Sequence, residues 1–162
     1  MQISLTTSLS AVLAQVAQSS AYAGGKRQDT PKADDPEALD RIGTIDEDDS
    51  ELTHFFNEAR IPLAAAFAKR LSFEGLVLEG EGAGDTYNLV LDVQDDFNMA
   101  LLPALNYSLF DYFVKSILAA WYVYTHREDV ENYAGLSMAL LDQIKDATMR
   151  RTFTRKLSPF NS

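Results

Sequence analysis

Cysteine is absent from all 162 residues. That excludes disulfide staples, a thiolate metal site and a cysteine nucleophile. Histidine is nearly absent: His54 and His126 stand alone, each beside helix-boundary acids and neither at the spacing of a His/Glu ligand set. Surface or packing roles are expected for both. Bases are scarce, with 14 Lys and Arg against 24 Asp and Glu, a net charge of −10. This argues against a free nucleic-acid binder, because phosphate binding draws on clustered cations. No apolar run approaches the roughly 18 residues that a membrane span needs. A Gly-x-Ser-x-Gly elbow for a serine nucleophile is also missing.

What is present suits one soluble, acidic domain. Apolar residues make up 46% of the chain, enough for a proper core at this length. A chain with 24 acids always offers carboxylate pairs of the glycosidase kind. Here the acids gather at helix starts, in one acidic stretch and in one turn, where solvation explains them. No catalytic residue, metal site or cofactor site is therefore expected, and the chain does not read as an enzyme.

Residues 5–23 are mildly apolar and end in Ala21-Tyr22-Ala23, which imitates a signal-peptidase site. The segment ahead of them carries no Lys or Arg, Thr6, Thr7, Ser8, Ser10 and Gln15 interrupt the apolar stretch, and the chain begins at Met1. An uncleaved helix over residues 1–25 is the better expectation. Leu9, Val12, Leu13, Val16 and Ala17 share one face, Ser8 caps the start and Gly24-Gly25 supplies the stop.

Residues 26–50 form an extended acidic arm, with ten acids against two bases between Asp29 and Glu51 and with Pro31, Pro36 and Gly43 as breakers. Asp46-Glu47-Asp48-Asp49 is not a calcium loop, since the sixth and twelfth positions hold Glu51 and Asn57 rather than Gly and Glu. These acids, with Ser50, read as the start of a helix over about 51–71, favoured by the positive end of its dipole. Leu52, Phe55, Phe56, Ala59, Leu63, Ala66 and Phe67 form its apolar face, and Pro62 within it should kink it.

The period then falls from 3.6 to 2. Leu76-Val77-Leu78 and the alternating Tyr87, Leu89, Leu91 and Val93 flank a Gly-rich segment. This is a β-hairpin at about 74–93. The glycines are no phosphate cradle: a strand follows them, two acids lie among them, and the Gly-Lys-Ser/Thr ending is missing.

Residues 98–124 predict a long helix, capped by Asp95, Asp96 or Asn98, with Pro103 in its first turn. Phe110, Val114, Ile117, Trp121 and Tyr124 make one apolar seam, and Leu102, Leu105, Leu109, Tyr112 and Phe113 a second. Two seams mean packing on two sides. A break at Thr125-His126-Arg127 leads to a last helix over about 128–150, whose Val130, Tyr133, Ala134, Ser137, Leu140, Leu141 and Ile144 point inward. The short connection makes the two helices antiparallel neighbours. Residues 151–162 form a basic tail, and five bases meet one acid between Lys145 and Lys156. The expected fold class is α+β, mostly α: a helical bundle over residues 51–150 with a long antiparallel helical hairpin and one inserted β-hairpin. The acidic arm and the basic C-terminal tail flank it.

The pattern also carries a resemblance. Asp48-Asp49-Ser50-Glu51-Leu52 opens a helix continued by Phe56-Asn57-Glu58-Ala59. Later come a hydrophobic helix with Trp121-Tyr122 and Thr125 at its end, a helix with Tyr133 and Leu140-Leu141, and the bases Arg150-Arg151, Arg155-Lys156 before Pro159-Phe160. Over roughly residues 45–160 this resembles the small head–tail adaptor (connector, neck) proteins of tailed bacteriophages, in particular a group from Bacteroides-type hosts. The resemblance implies a structural virion protein made in the host cytoplasm. It implies a homo-oligomeric ring of about twelve subunits that docks beneath the portal protein, meets tail or neck proteins and lines the channel for genomic DNA. An acidic lumen would let DNA slide past without specific binding. Expected joints are Arg150, Arg151, Phe153, Arg155, Lys156 and Phe160, with the two aromatics as anchors. The competing expectation is a secreted or periplasmic binding module of a bacterium, which needs the first 23 residues to be a cleaved signal.

Overall fold

A computed structural model describes residues 1–28, 43–44, 48–77 and 85–149; residues 29–42, 45–47, 78–84 and 150–162 lie outside the described residues. Strand β1 (Gln2–Ser8) leads without a loop into α1 (Leu9–Gln28), followed by α2 (Asp49–Ala66), β2 (Leu71–Val77), β3 (Thr86–Asp92), α3 (Leu102–Thr125) and α4 (Val130–Met149). Single 3₁₀ turns at Met99–Leu101 and Arg127–Asp129 introduce the last two helices. The class is α+β, mostly α.

The start of the chain differs from a helix over residues 1–25. Gln2–Ser8 is a strand because Ile3, Leu5 and Thr7 alternate with Gln2, Ser4 and Thr6, and the first set is buried. It pairs antiparallel with β3, with Ile3 opposite Leu91 and Leu5 opposite Leu89. The sheet therefore has three strands in the order β1-β3-β2, and β3 is central. Helix α1 begins where expected, and the Ser8 hydroxyl accepts from Ala11 N at 3.3 Å. It runs through Gly24-Gly25 to Gln28, so two glycines did not end it and residues 26–28 are not part of an extended arm. The remainder of that arm lies mostly outside the described residues. Within it, Thr44 N donates to Ser20 Oγ at 3.1 Å.

Helix α2 stops at Ala66, earlier than expected, and Leu71 opens β2 instead of closing the helix. Asp48 stands at the N-cap position in helical backbone, where its side chain closes no cap bond; Asp49 and Glu51 in the first turn instead favour the dipole. β2 pairs antiparallel with β3, with an irregularity in register between Leu71 and Phe73. The segment that joins them, 78–84, lies outside the described residues. Beyond β3, Asn98 caps the 3₁₀ turn by accepting from Ala100 N at 3.0 Å, and Pro103 falls in the first turn of α3 as expected.

Helix α3 is the axis of the molecule. Leu105, Leu109, Phe113, Ile117 and Tyr122 are buried along its whole length. β1, α1, α2 and α4 all pack against it. An aromatic triad joins three elements: Phe113 stacks on Phe56 of α2 with centroids 4.2 Å apart, and Tyr87 of β3 meets both edge-on. The Tyr112 hydroxyl donates to Ala59 O at 2.8 Å and ties α3 to α2. Asn106 Oδ1 accepts from Thr6 N at 3.0 Å, so α3 also covers part of the free edge of β1. Tyr122 meets Tyr133 near the connection, while Leu105 and Ala147 share a groove at the far end. The two helices therefore run antiparallel.

Candidate interaction surface

The predicted joint residues Arg150, Arg151, Phe153, Arg155, Lys156 and Phe160 all lie outside the described residues. The structure does fix the point from which they depart. Arg70, in the turn between α2 and β2, donates from Nη1 to Thr148 O at 3.0 Å and from Nη2 to Thr148 Oγ1 at 3.1 Å. Thr148 is buried, and its carbonyl is one of the last four that a helix leaves without internal partners. Burial pulls the Arg70 guanidinium somewhat below its ordinary pKa, and it remains a cation, well placed at the negative end of α4.

Helix α4 is covered on one face alone. Ser137, Leu141, Ile144 and Thr148 are buried, while Leu136, Met138 and Met149 are exposed. A groove flanks it on each side. The larger, about 550 Å³, lies between the first turns of α3 and the last turns of α4. Leu101, Ala104, Leu105, Ala139 and Ala147 give it apolar walls, and Asp142 and Asp146 stand four residues apart along it. The smaller, about 230 Å³, separates α4 from α2, with Ser116, Ala119 and Ala120 among its lining residues and Phe55 and Met138 at its sides. Sequence reasoning missed both grooves. The available signal was small residues on α3 at positions where the two apolar seams call for bulk, and a pair of acids on α4 with no base between them on that face.

Polar clusters elsewhere hold elements together. Arg60 of α2 grips Glu74 of β2 with two hydrogen bonds, 2.5 Å from Nε to Oε1 and 3.2 Å from Nη2 to Oε2, and donates to Asn57 Oδ1 at 2.9 Å. The bond to Glu74 raises the Arg60 pKa; burial pushes Glu74 up most strongly, but the bonds and charge of Arg60 together with the neighbouring Tyr87 hydroxyl leave that carboxyl below its ordinary value. The Tyr87 hydroxyl is buried beside this pair without a well-formed hydrogen bond, and burial keeps it protonated. Asp85, just before β3, accepts from Ser8 Oγ at 2.7 Å, Ser10 N at 2.8 Å and Ser10 Oγ at 2.9 Å. It thus completes the cap of α1 from across the sheet, and the bonds from Ser8 and Ser10 hold its carboxyl below the ordinary range.

The histidines take the roles expected of them. His54 is exposed on α2 and pairs with Glu58, one turn on, at 3.0 Å. His126 packs in the α3–α4 connection, edge-on to Tyr122, with Nε2 3.0 Å from Asp129 Oδ2. Its Nδ1 and the Tyr122 hydroxyl are buried without hydrogen-bond partners. Among the described residues no three His, Asp or Glu side chains gather as a metal site would require, and no helix is long and apolar enough to cross a membrane. No protein-family model, curated protein or solved structure matches the chain.

Proposed function

We propose that this chain is a head–tail adaptor subunit of a tailed bacteriophage. In this reading it is a structural protein that assembles into a ring between the portal and the tail, with genomic DNA passing through the lumen. Two things support the reading. One is the resemblance over residues 45–160. The other, which carries it physically, is that α4 buries a single face and leaves exposed apolar side chains and a groove on each flank. Exposed apolar side chains beside open grooves offer surface for association, and unlike surfaces on one chain suit the head-to-tail contacts that close a ring. Over the whole chain 24 acids outnumber 14 bases, which agrees with a channel that repels phosphate.

The secreted or periplasmic module is the weaker reading. Loss of residues 1–23 would remove β1 and most of α1, and with them the buried Ile3, Leu5, Val12 and Val16. Light scattering of the purified chain, alone and with a matching portal protein, tests the proposal. The expected result is a ring in solution or a monomer that forms a ring on the portal. A monomer that ignores the portal would overturn it.

A further inference from the structure

The larger groove and the C-terminal residues differ in charge and match in apolar character. Leu101, Leu105, Ala139 and Ala147 give the groove its apolar walls, and Asp142 and Asp146 put negative charge along it. It lies between the C-terminal half of α4 and the first turns of α3, and the two carboxylates are its charged lining groups. Residues 150–162 carry four bases, Arg150, Arg151, Arg155 and Lys156, and no acid, with Phe153, Leu157 and Phe160 spaced among them. We propose that this groove receives the C-terminal segment 150–162 of a neighbouring copy of the chain.

Geometry favours the neighbour over the chain's own segment. The groove runs back along α4 from Ala147 toward Ala139, about 12 Å at the rise of a helix. To fill its own groove, the segment would have to turn back along α4, from whose last described turn, held by Arg70 at Thr148, it departs. A segment arriving from another subunit needs no reversal. At about 3.3 Å per extended residue, 150–162 reaches on the order of 40 Å, enough to bridge to the next copy. The bases would pair with Asp142 and Asp146, and the aromatics would cover the apolar walls. Such pairing is directional, since each subunit gives one segment and receives another. This occupant rests on the ring reading above.

The absence of cysteine makes the test direct. Ala139→Cys and Leu157→Cys are introduced together in the full chain, which is oxidised under conditions where it assembles, alone or on the portal. Covalent dimers and longer ladders are expected. Gln18→Cys, on the exposed side of α1, replaces Ala139→Cys as a control and should give none. Adding Asp142→Lys and Asp146→Lys should lower the cross-link yield at least fivefold, and Arg155→Glu with Lys156→Glu should restore it. A cross-linked species of monomer mass would show the segment in its own groove and overturn the proposal. Rings by light scattering without any cross-link would overturn it and leave the adaptor reading standing. Neither rings nor cross-links would overturn both.

Discussion

Helices α3 and α4 lie side by side, and the chain uses them in opposite ways. α3 is packed by β1, α1, α2 and α4, and its buried residues run around most of its circumference. α4 offers one buried face to α3 and turns Leu136, Met138 and Met149 outward. The first is an organiser against which β1, α1, α2 and α4 all pack. The second is a cover with a free side, and a free side in an otherwise well-filled protein is where association is available.

Substitutions in the two helices break this comparison most sharply. Phe113→Ala removes the ring that joins α2, β3 and α3, and should cost about 4 kcal/mol in urea-unfolding experiments. Ile144→Ala on the buried face of α4 should cost about 2–3 kcal/mol, less because the cover can settle onto α3. Equal losses at the two sites would show that α4 is as integral as α3, and the distinction would fail.

A smaller effect is expected where the cover is fastened. Arg70→Ala removes both hydrogen bonds to Thr148 and should cost about 1–2 kcal/mol, with hydrogen exchange accelerated in the last turn of α4 before the rest of the helix. Arg70→Lys should recover little, since one ammonium does not reproduce the forked donation. Uniform acceleration along α4 would mean that Arg70 does not set where the helix ends.

The smallest effect lies at the other end of the molecule. Asp85→Ala should destabilise by roughly 0.5–1 kcal/mol through loss of the α1 cap. The folded-state pKa of Asp85 is depressed, so its carboxylate contributes stability above the ordinary value of 3.8, and that contribution is lost as pH falls through the lower folded pKa. Replacing Asp85 by Asn should flatten the acid limb of the stability profile in that window. An unchanged limb would place the acid sensitivity in other carboxylates.

Legibility followed the range of the interaction. The apolar periods of α2, α3 and α4, the alternation of β3, the Asn98 cap and Pro103 in a first turn were all readable, because each depends on neighbours a few residues away. β1 was misread although its Ile3, Leu5 and Thr7 alternate cleanly. Thr6, Thr7 and Ser8 read as breaks in a signal-like apolar stretch with Ser8 as a helix cap, and nothing local reveals that β3, far along the chain, supplies the pairing edge. Gly24-Gly25 was misread for the opposite reason: a local stop signal was overridden, and α1 continued. The grooves beside α4 were invisible because a groove is a property of two helices and the gap between them. The C-terminal joint residues, by contrast, were picked out on charge and aromatic content alone, and lie outside the described residues.

The chain is acidic and free of disulfides by composition, and the spacing of its apolar residues makes it mostly helical and marks the apolar faces of its long helices, because both properties are written in the residues themselves. Only the tertiary structure places Gln2–Ser8 in the sheet, makes α3 and not α4 the enclosed helix, and ties Arg70 to Thr148 of α4. Those outcomes depend on which distant surfaces meet, and burial energy is realised only when both partners are in place.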